Sequence, residues 1–327
     1  MKKLTALMLA ALMLLAIGCT VANDVEPANE TQPTAAVEQP TAVPTDEPVS
    51  DHDRAMELIQ TGDYEAAYAL LEQIGEPEAI AANKYDRAQA LIETGNYEAA
   101  YALLDGLEYK DSEELFGNVK FQLQKNSISI AEEGDYITFG AYEQDNDLSN
   151  GKEDIEWLVL AKDEDKLLAI SRYILDCGPY NSSEEDVLWR DCSLRTWLNN
   201  EFYHAAFDAD QQEMIAVSDA KDGNNPFFED PIEEIYVDHV FLLGPFGFQF
   251  EKYFQMSPQR RPQKTAYAKA QGAMEELWWL KSSCSGDEYY YNSLTENDMM
   301  YDYFPKEIIG IRPVIWINIE ESTVCSH

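Results

Sequence analysis

The chain has 327 residues, of which 61 are acidic and 23 are lysine or arginine, so its formal net charge at pH 7 is -38. This balance excludes nucleic acid as an expected partner, because phosphate contacts need clusters of lysine and arginine. It also disfavours adhesion of the folded part to an anionic membrane, and it favours divalent cations, a cell surface or a basic partner.

The N-terminus predicts export and lipid anchoring. Lys2 and Lys3 precede an apolar run that ends just before Cys19. The run is shorter than a permanent membrane span and has the layout of an export signal. Cys19 stands where bacterial lipoproteins carry the cysteine that is acylated. We therefore expect residues 1–18 to be removed and Cys19 to anchor the chain in the lipid bilayer, on the extracytoplasmic face of the cell membrane. The alternative is an ordinary secretory signal with a chance cysteine.

Residues 19–50 predict a tether. The segment has few large apolar residues and many proline, threonine, alanine and glutamate residues. Such a composition cannot bury a core and gives an extended, solvated chain.

Residues 51–126 contain an internal repeat. The segment Thr61–Leu71 recurs at Thr94–Leu104, 33 residues later. In each copy a glycine suited to end one helix is followed by Asp63 or Asn96, which can cap the next helix. The pattern Gly-[Asp/Asn]-Tyr-x-x-Ala resembles the centre of a tetratricopeptide repeat. A plain pair of helical hairpins is the alternative. Two repeats and a partial third are fewer than a free solenoid needs, so we expect them to pack on another part of the chain.

Residues 127–327 predict a second, α+β domain. A hairpin turn at 163–165 separates two strands, and Asp208 with Gln211 forms the capping box of a short helix. Another helix is expected around residues 194–202. The predicted strands are 135–139, 155–160, 166–171, 240–243, 277–281 and 310–319.

Seven motifs of this domain occur in a fixed order. They are Gly134-Asp135-Tyr136-Ile137-x-Phe139-Gly140, Ile155-Glu156-Trp157-x-Val159-Leu160, Ser193-Leu194-Arg195-x-Trp197-Leu198-Asn199, Asp238-x-Val240-Phe241-Leu242-Leu243, Thr265-Ala266-Tyr267-Ala268, Trp278-Trp279-Leu280 and Gly310-x-Arg312-Pro313. Together they resemble the bacterial extracytoplasmic family called domain of unknown function 6273, over roughly residues 130–320. That family resembles, more distantly, the formylglycine-generating-enzyme and C-type-lectin-like folds, in which the first and last strands pair. The resemblance implies that residues 136–139 lie beside residues 311–317.

Aromatic and basic residues supply the candidate ligand site. Adjacent rings in a strand point to opposite faces, so one ring of a pair is expected in the core while its neighbour is free to meet a sugar or peptide. In so acidic a chain, arginines within strong motifs are notable, and Lys281 stands where the family usually has arginine. Core packing of the rings, structural ion pairs of the arginines and helix capping by Asn199 are the alternatives. The candidate ligand residues are Arg195, Asn199, Trp278, Trp279, Lys281, Tyr290 and Arg312.

Asp145, Asp147 and Ser149 have the oxygen spacing of a calcium loop, so calcium is a candidate cofactor. A polar hairpin loop is the alternative, because the glycine of the loop comes one place late and strands flank the segment.

Four cysteines remain after Cys19, in a compartment that permits disulfides. They are Cys177, Cys192, Cys284 and Cys325. A bridge between Cys177 and Cys192 is the candidate disulfide, and four free thiols are the alternative.

Catalytic signatures are missing from the sequence: the four histidines are scattered, and no zinc, serine-hydrolase or phosphate-loop motif is found. We therefore expect a surface-displayed lipoprotein that acts as a non-catalytic binding or adaptor module for an envelope glycan or protein. One alternative is an enzyme acting on cell-wall glycan or exported peptide. The other is a scaffold that uses the helical repeats for protein assembly.

Overall fold

The computed structural model describes residues 49–319, except 186, 220–236, 245–253, 255–258, 260, 275–276, 282, 286–287, 291 and 295–299. For 219, 283–285, 288–290, 292–294 and 300–302 it describes the backbone alone. Within the described part, no helix has both the length and the apolarity needed to cross a membrane.

Five helices form the N-terminal unit, and their caps agree with the sequence prediction. Gly62 ends the first helix with a φ of 84°, in the left-handed region that glycine tolerates best. The side chain of Asp63 accepts a hydrogen bond from the Ala66 backbone, and that of Asn96 accepts one from Ala99. The helices are α1 (Asp51–Thr61), α2 (Tyr64–Gln73), α3 (Pro77–Glu93), α4 (Tyr97–Leu104) and α5 (Ser112–Ile130).

Helix α5 belongs to both units of the chain. Its first half contributes Val119 to the small core shared with α3 and α4. Its second half contributes Ile128 to the large core of the α+β domain, and Phe121 packs against that core. The expectation that two repeats need a further packing partner is thus confirmed, and that partner is the second domain.

The main sheet of the second domain is antiparallel, with strand order β1-β2-β3-β15-β5 and β8 also paired to β15. Hairpins join β1 to β2 and β2 to β3. Its strands are β1 (Tyr136–Tyr142), β2 (Glu153–Lys162), β3 (Lys166–Ser171), β5 (Ile215–Ala216), β8 (Val240–Phe241) and β15 (Val314–Asn318).

The expected pairing of the first and last strands is wrong. Strand β1 pairs with β2, whereas β15 pairs with β3, β5 and β8. Two hairpins place β2 and β3 between β1 and β15, because strands that are consecutive in the chain usually pair with each other.

A second sheet has the order β13-β12-β9-β14-β4, in which β9 and β14 are parallel. Its strands are β4 (Asp176–Gly178), β9 (Trp278–Trp279), β12 (Asn292–Leu294), β13 (Met300–Asp302) and β14 (Ile309–Ile311). The predicted single strand 310–319 is therefore divided at Arg312 and Pro313 between the two sheets. Two short ladders complete the strands: β6 (Ser218–Asp219) with β7 (Val237–Asp238), and β10 (Ser283–Ser285) with β11 (Glu288–Tyr290).

Short helices cover the main sheet. The predicted capping box of α8 is present, since the Asp208 side chain accepts a hydrogen bond from the Gln211 backbone and the Gln211 side chain accepts one from the Asp208 backbone. Helix α6 continues into one π-helical turn, Leu198–Phe202, before α7 begins. The helices are α6 (Ser193–Trp197), α7 (Tyr203–Ala206), α8 (Ala209–Met214) and α9 (Ala266–Gln271), and a 3₁₀ turn spans Trp189–Asp191.

Candidate binding cleft and the predicted site residues

A cleft of about 350 Å³ lies where the helical unit meets the second domain. Helix α5 forms one wall, and β1, the start of β2 and the segment that joins α7 to α8 form the others. The lining residues are Gly117, Lys120, Phe121, Gln124, Gly140, Ala141, Lys152, Asp154, His204, Ala205, Ala206, Phe207, Asp208 and Gln211.

Polar contacts hold the walls of the cleft together. Lys120 Nζ lies 2.5 Å from Asp154 Oδ1, and Lys152 Nζ donates to the Ala205 carbonyl at 2.6 Å. At the buried end, Gln211 donates to Gln124 Oε1 at 3.1 Å. The described lining has charges of both signs and contains no serine, threonine or cysteine.

Gly140 explains why β1 can approach this region so closely. Its φ is 70°, and an added Cβ would lie 2.6 Å from a ring carbon of Phe207 and 2.7 Å from the Ala206 carbonyl. A glycine is therefore required at the position where the sequence motif ends.

Arg195 and Asn199 form a structural junction. Arg195 Nε donates to Asp238 Oδ1 at 2.5 Å, and Asp238 is 2% exposed and also accepts from Trp189 Nε1 at 2.9 Å. The Asn199 amide donates to the Val240 carbonyl at 2.9 Å and accepts from the His239 backbone at 2.7 Å. These contacts attach the π-helical turn to β8, in keeping with the ion-pair alternative for Arg195.

The two tryptophans are both buried, so neither ring is free to meet a ligand, and the core-packing alternative describes both of them. Trp278 and Trp279 have no accessible surface. Trp279 Nε1 donates to the Gly178 carbonyl at 2.9 Å, and its ring meets Tyr180 edge to face. Strand β9 lies inside its sheet with both faces covered, so alternation of the side chains exposes neither ring.

Arg312 is also buried, with 1% of its surface exposed. Its Nε donates to the Ser171 carbonyl at 2.7 Å, and its guanidinium lies 5.2 Å from the ring centre of Trp278 and 5.5 Å from that of Phe254. Burial lowers the pKa of Arg312 to about 9. Packing between aromatic rings gives this residue a role in the core.

The remaining candidates do not join a common pocket in the described part of the chain. Lys281 is buried, and its backbone donates to the Leu243 carbonyl at 2.7 Å. Tyr290 lies in β11, but its side chain is outside the described residues. The structure thus distributes the six candidates whose side chains it describes between the core and the Arg195–Asn199 junction rather than around one cavity.

The predicted calcium loop is the hairpin loop between β1 and β2. The Asp147 backbone donates to Asp145 Oδ1, and Ser149 donates its hydroxyl and its N–H to Asp147 Oδ1. The Asp147 and Ser149 side chains therefore close turns of the loop. Asp145 instead lies near Glu143 and Glu153, with one oxygen of each residue within 4.8 Å of the others.

The candidate disulfide is not formed, because Cys177 and Cys192 are both free cysteines. Burial raises the pKa of the Cys177 thiol to about 11 and that of the Cys192 thiol to about 12. Cys192 has no accessible surface, so it behaves as a small core residue. Cys19 and Cys325 lie outside the described residues, as does the side chain of Cys284.

Comparison with known families supports the two-part layout. Residues 58–118 of the helical unit match a family described as "Tetratricopeptide repeat". Residues 164–319 match the family described as "Domain of unknown function (DUF6273)". Both resemblances are thereby confirmed over these ranges. No curated protein and no solved structure matches the chain.

Sequence reasoning missed two features of the site. The first is Asp238, the buried partner of Arg195. Its signal was present, because Asp238 is the acidic residue of the motif Asp238-x-Val240-Phe241-Leu242-Leu243. The cleft had no such signal, because Lys120, Lys152 and His204 come from three distant segments that only the fold brings together.

Proposed function

We propose that the chain is an extracytoplasmic lipoprotein that acts as a non-catalytic, protein-binding adaptor. Acylated Cys19 anchors it to the cell membrane, residues 19–50 form the tether, and the cleft between α5 and the second domain receives part of a partner protein. The observation that carries the proposal is the shared construction of the cleft, in which the last repeat helix and the DUF6273-containing domain each supply a wall.

A protein ligand has more support than a glycan. The helical unit matches tetratricopeptide repeats, a class associated with protein interaction in general. The glycan hypothesis depended on the rings of Trp278, Trp279 and Tyr290; both tryptophan rings are buried, and the Tyr290 side chain lies outside the described residues. The ordered motifs support a lectin-like relationship for the second domain, whereas the separation of β1 from β15 opposes it.

Site-specific photocross-linking in intact cells tests the proposed binding. A benzophenone amino acid replaces Phe121, which lies in the cleft wall, or Phe304, which is 78% exposed outside the described cleft lining. Both substitutions exchange one aromatic ring for another, so Phe304 is a matched control. His204, at the opposite wall, is a second cleft position.

We expect the cleft positions to cross-link the same protein and the control position to give no such product. Equal cross-linking at Phe121 and Phe304, or no protein product at either cleft position, would refute a protein-binding cleft.

The anchor is tested separately. In a Cys19→Ser variant the acylation site is lost, so we expect the protein to leave the membrane fraction and be recovered as a soluble product. Retention of Cys19→Ser in the membrane fraction after a high-salt wash would contradict the lipid anchor without bearing on the cleft.

A further inference from the structure

Three carboxylates converge at the base of the β1–β2 hairpin. Glu143 directly follows β1, Glu153 is the first residue of β2, and Asp145 lies between them. The register pairs Tyr142 with Glu153, which brings the two strand ends together. One oxygen from each of the three side chains lies within 4.8 Å of the others.

A buried oxygen in this cluster has no hydrogen-bond partner among the described residues. Glu143 is 8% exposed, and its Oε1 is the atom left without a partner. Buried carboxylate oxygens are ordinarily satisfied, so an unpaired one on a side chain that lies within 4.8 Å of two other carboxylates indicates a missing ligand.

The other two carboxylates are held in place by the loop. Glu153 Oε2 accepts hydrogen bonds from the Gln144 and Asp145 backbones at 2.6 and 3.2 Å. Asp145 accepts from the Asn150 side chain at 2.7 Å. These bonds fix the direction of both carboxylates while leaving lone pairs for a further ligand.

Among the described residues, no lysine or arginine forms a direct ion pair with these three carboxylates. Lys120 pairs with Asp154 instead, and Lys152 donates to the Ala205 carbonyl. Three like charges around a buried oxygen favour either a bound proton or a bound cation.

We propose that Glu143, Asp145 and Glu153 form a Ca²⁺ site. Ca²⁺ binds carboxylate oxygens at about 2.3–2.6 Å, so two oxygens bound to one ion lie no more than about 5 Å apart. The three oxygens of this cluster meet that limit, since they lie within 4.8 Å of one another. Its flexible coordination of six to eight oxygens suits an irregular hairpin loop better than the strict octahedron of Mg²⁺. Water supplies the remaining ligands. Asp147 and Ser149 stabilise the loop and are not ligands.

Calorimetric titration of the full chain in detergent, with Ca²⁺ alone as the probe, tests the site. We expect one saturable site per chain with a dissociation constant on the order of 10⁻⁴ to 10⁻³ M, the range of extracellular calcium modules. Glu143→Gln and Glu153→Gln each remove one ligand charge with little change of shape, and each is expected to weaken binding roughly tenfold or more.

One control isolates the cluster. Glu164→Gln removes the same charge from the exposed β2–β3 turn, and this variant is expected to bind Ca²⁺ like the parent. If Glu164→Gln weakened Ca²⁺ binding as much as Glu143→Gln does, Ca²⁺ would be held by diffuse attraction to the acidic chain rather than at the cluster. That result would overturn the proposal.

The competing state is a proton shared between Glu143 and Asp145. In that case the parent shows no saturable binding up to about 10 mM Ca²⁺, and the proposal fails. Thermal unfolding in a chelator checks that the variants fold: Glu143→Gln is expected to be at least as stable as the parent there, and to lose the Ca²⁺-dependent rise in Tm that the parent shows.

Discussion

The buried ion pair of Arg195 and Asp238 provides a quantitative test of the fold. Asp238 is 2% exposed and accepts hydrogen bonds from Arg195 Nε, Trp189 Nε1 and, at 3.4 Å, the Asn199 amide. The substitution Asp238→Asn keeps the size of the side chain but removes its charge. Its amide can accept from one donor and presents hydrogens to another, so the junction is left with unpaired groups.

The magnitude follows from the burial of each partner. Removing one member of a buried pair typically costs about 3–5 kcal/mol, because the other charge is left uncompensated. The Arg195 side chain is 21% exposed and also donates to the Arg190 and Val237 carbonyls, so it regains part of its solvation. We therefore expect a loss of about 3 kcal/mol, at the lower end of the range, or a fall in Tm of roughly 6–12 °C for a domain of this size.

The assay is urea unfolding of the parent and of two variants, followed by tryptophan fluorescence. The matched control is Glu156→Gln, since the pair of Arg172 and Glu156 has side chains that are 42% and 39% exposed. An exposed pair of this kind contributes about 1 kcal/mol or less. If Asp238→Asn lowered the free energy of unfolding no more than Glu156→Gln does, the junction would not stabilise the domain. Arg195 would then be a candidate ligand residue again.

Three further outcomes are expected. Gly310→Ala places a Cβ 2.5 Å from the Leu277 carbonyl and 2.6 Å from an Ile174 methyl group, so we expect the free energy of unfolding to fall by at least about 2 kcal/mol. Gly117→Ala has open space in α5 and is expected to raise that free energy by about 0.5–1 kcal/mol. Chemical unfolding measures both, and a Gly310→Ala variant as stable as the parent would contradict the close approach of β14 to Leu277 and Ile174. Burial raises the pKa of Asp176 in the folded state above its value in the unfolded state, so the parent loses stability as the pH rises from the unfolded pKa to the folded one. Asp176→Asn has no carboxyl group to titrate and is expected to lack this loss of stability. A difference in Tm between the two proteins that stays constant from about pH 4 to pH 7 would refute the burial effect. Cys192 is expected to react with a thiol reagent at neutral pH only after unfolding, because its thiol is inaccessible and protonated. Rapid labelling of Cys192 in the native protein would contradict its burial in the core.

Local features of the fold could be predicted from the sequence. The end of α1 and the starts of α2 and α4 depend on Gly62, Asp63 and Asn96, whose capping chemistry acts within a few residues. The hairpin between β2 and β3 and the capping box of α8 are likewise local. Motifs that repeat or lie in a fixed order also identified both matching families.

Features that depend on distant pairing could not be predicted. The alternation rule gives each ring of Trp278 and Trp279 a face, but it does not say whether both faces of the sheet are covered. The order of β1 and β15 depends on which hairpins form between them. The ligand residues were chosen because they stand in strong motifs, and most of the described ones prove to be core or junction residues.

The same limit applies to the cleft and the carboxylate cluster. The residues that line the cleft are up to 94 positions apart in the chain, from Gly117 to Gln211. Only the packing of α5 against the sheet brings the walls of the cleft together. For the cluster, spacing indicated Asp145 but also Asp147 and Ser149, since it cannot show which oxygens close the loop on itself.

The sharpest test of a protein-binding cleft is the affinity of the cross-linked partner for charge-reversal variants of the full chain. Lys152→Glu reverses a charge in the cleft wall, and Lys269→Glu makes the same change at an exposed position of α9. A cleft that binds the partner predicts a dissociation constant raised roughly tenfold by Lys152→Glu and unchanged by Lys269→Glu. Equal affinities for both variants and the parent would show that the partner binds elsewhere.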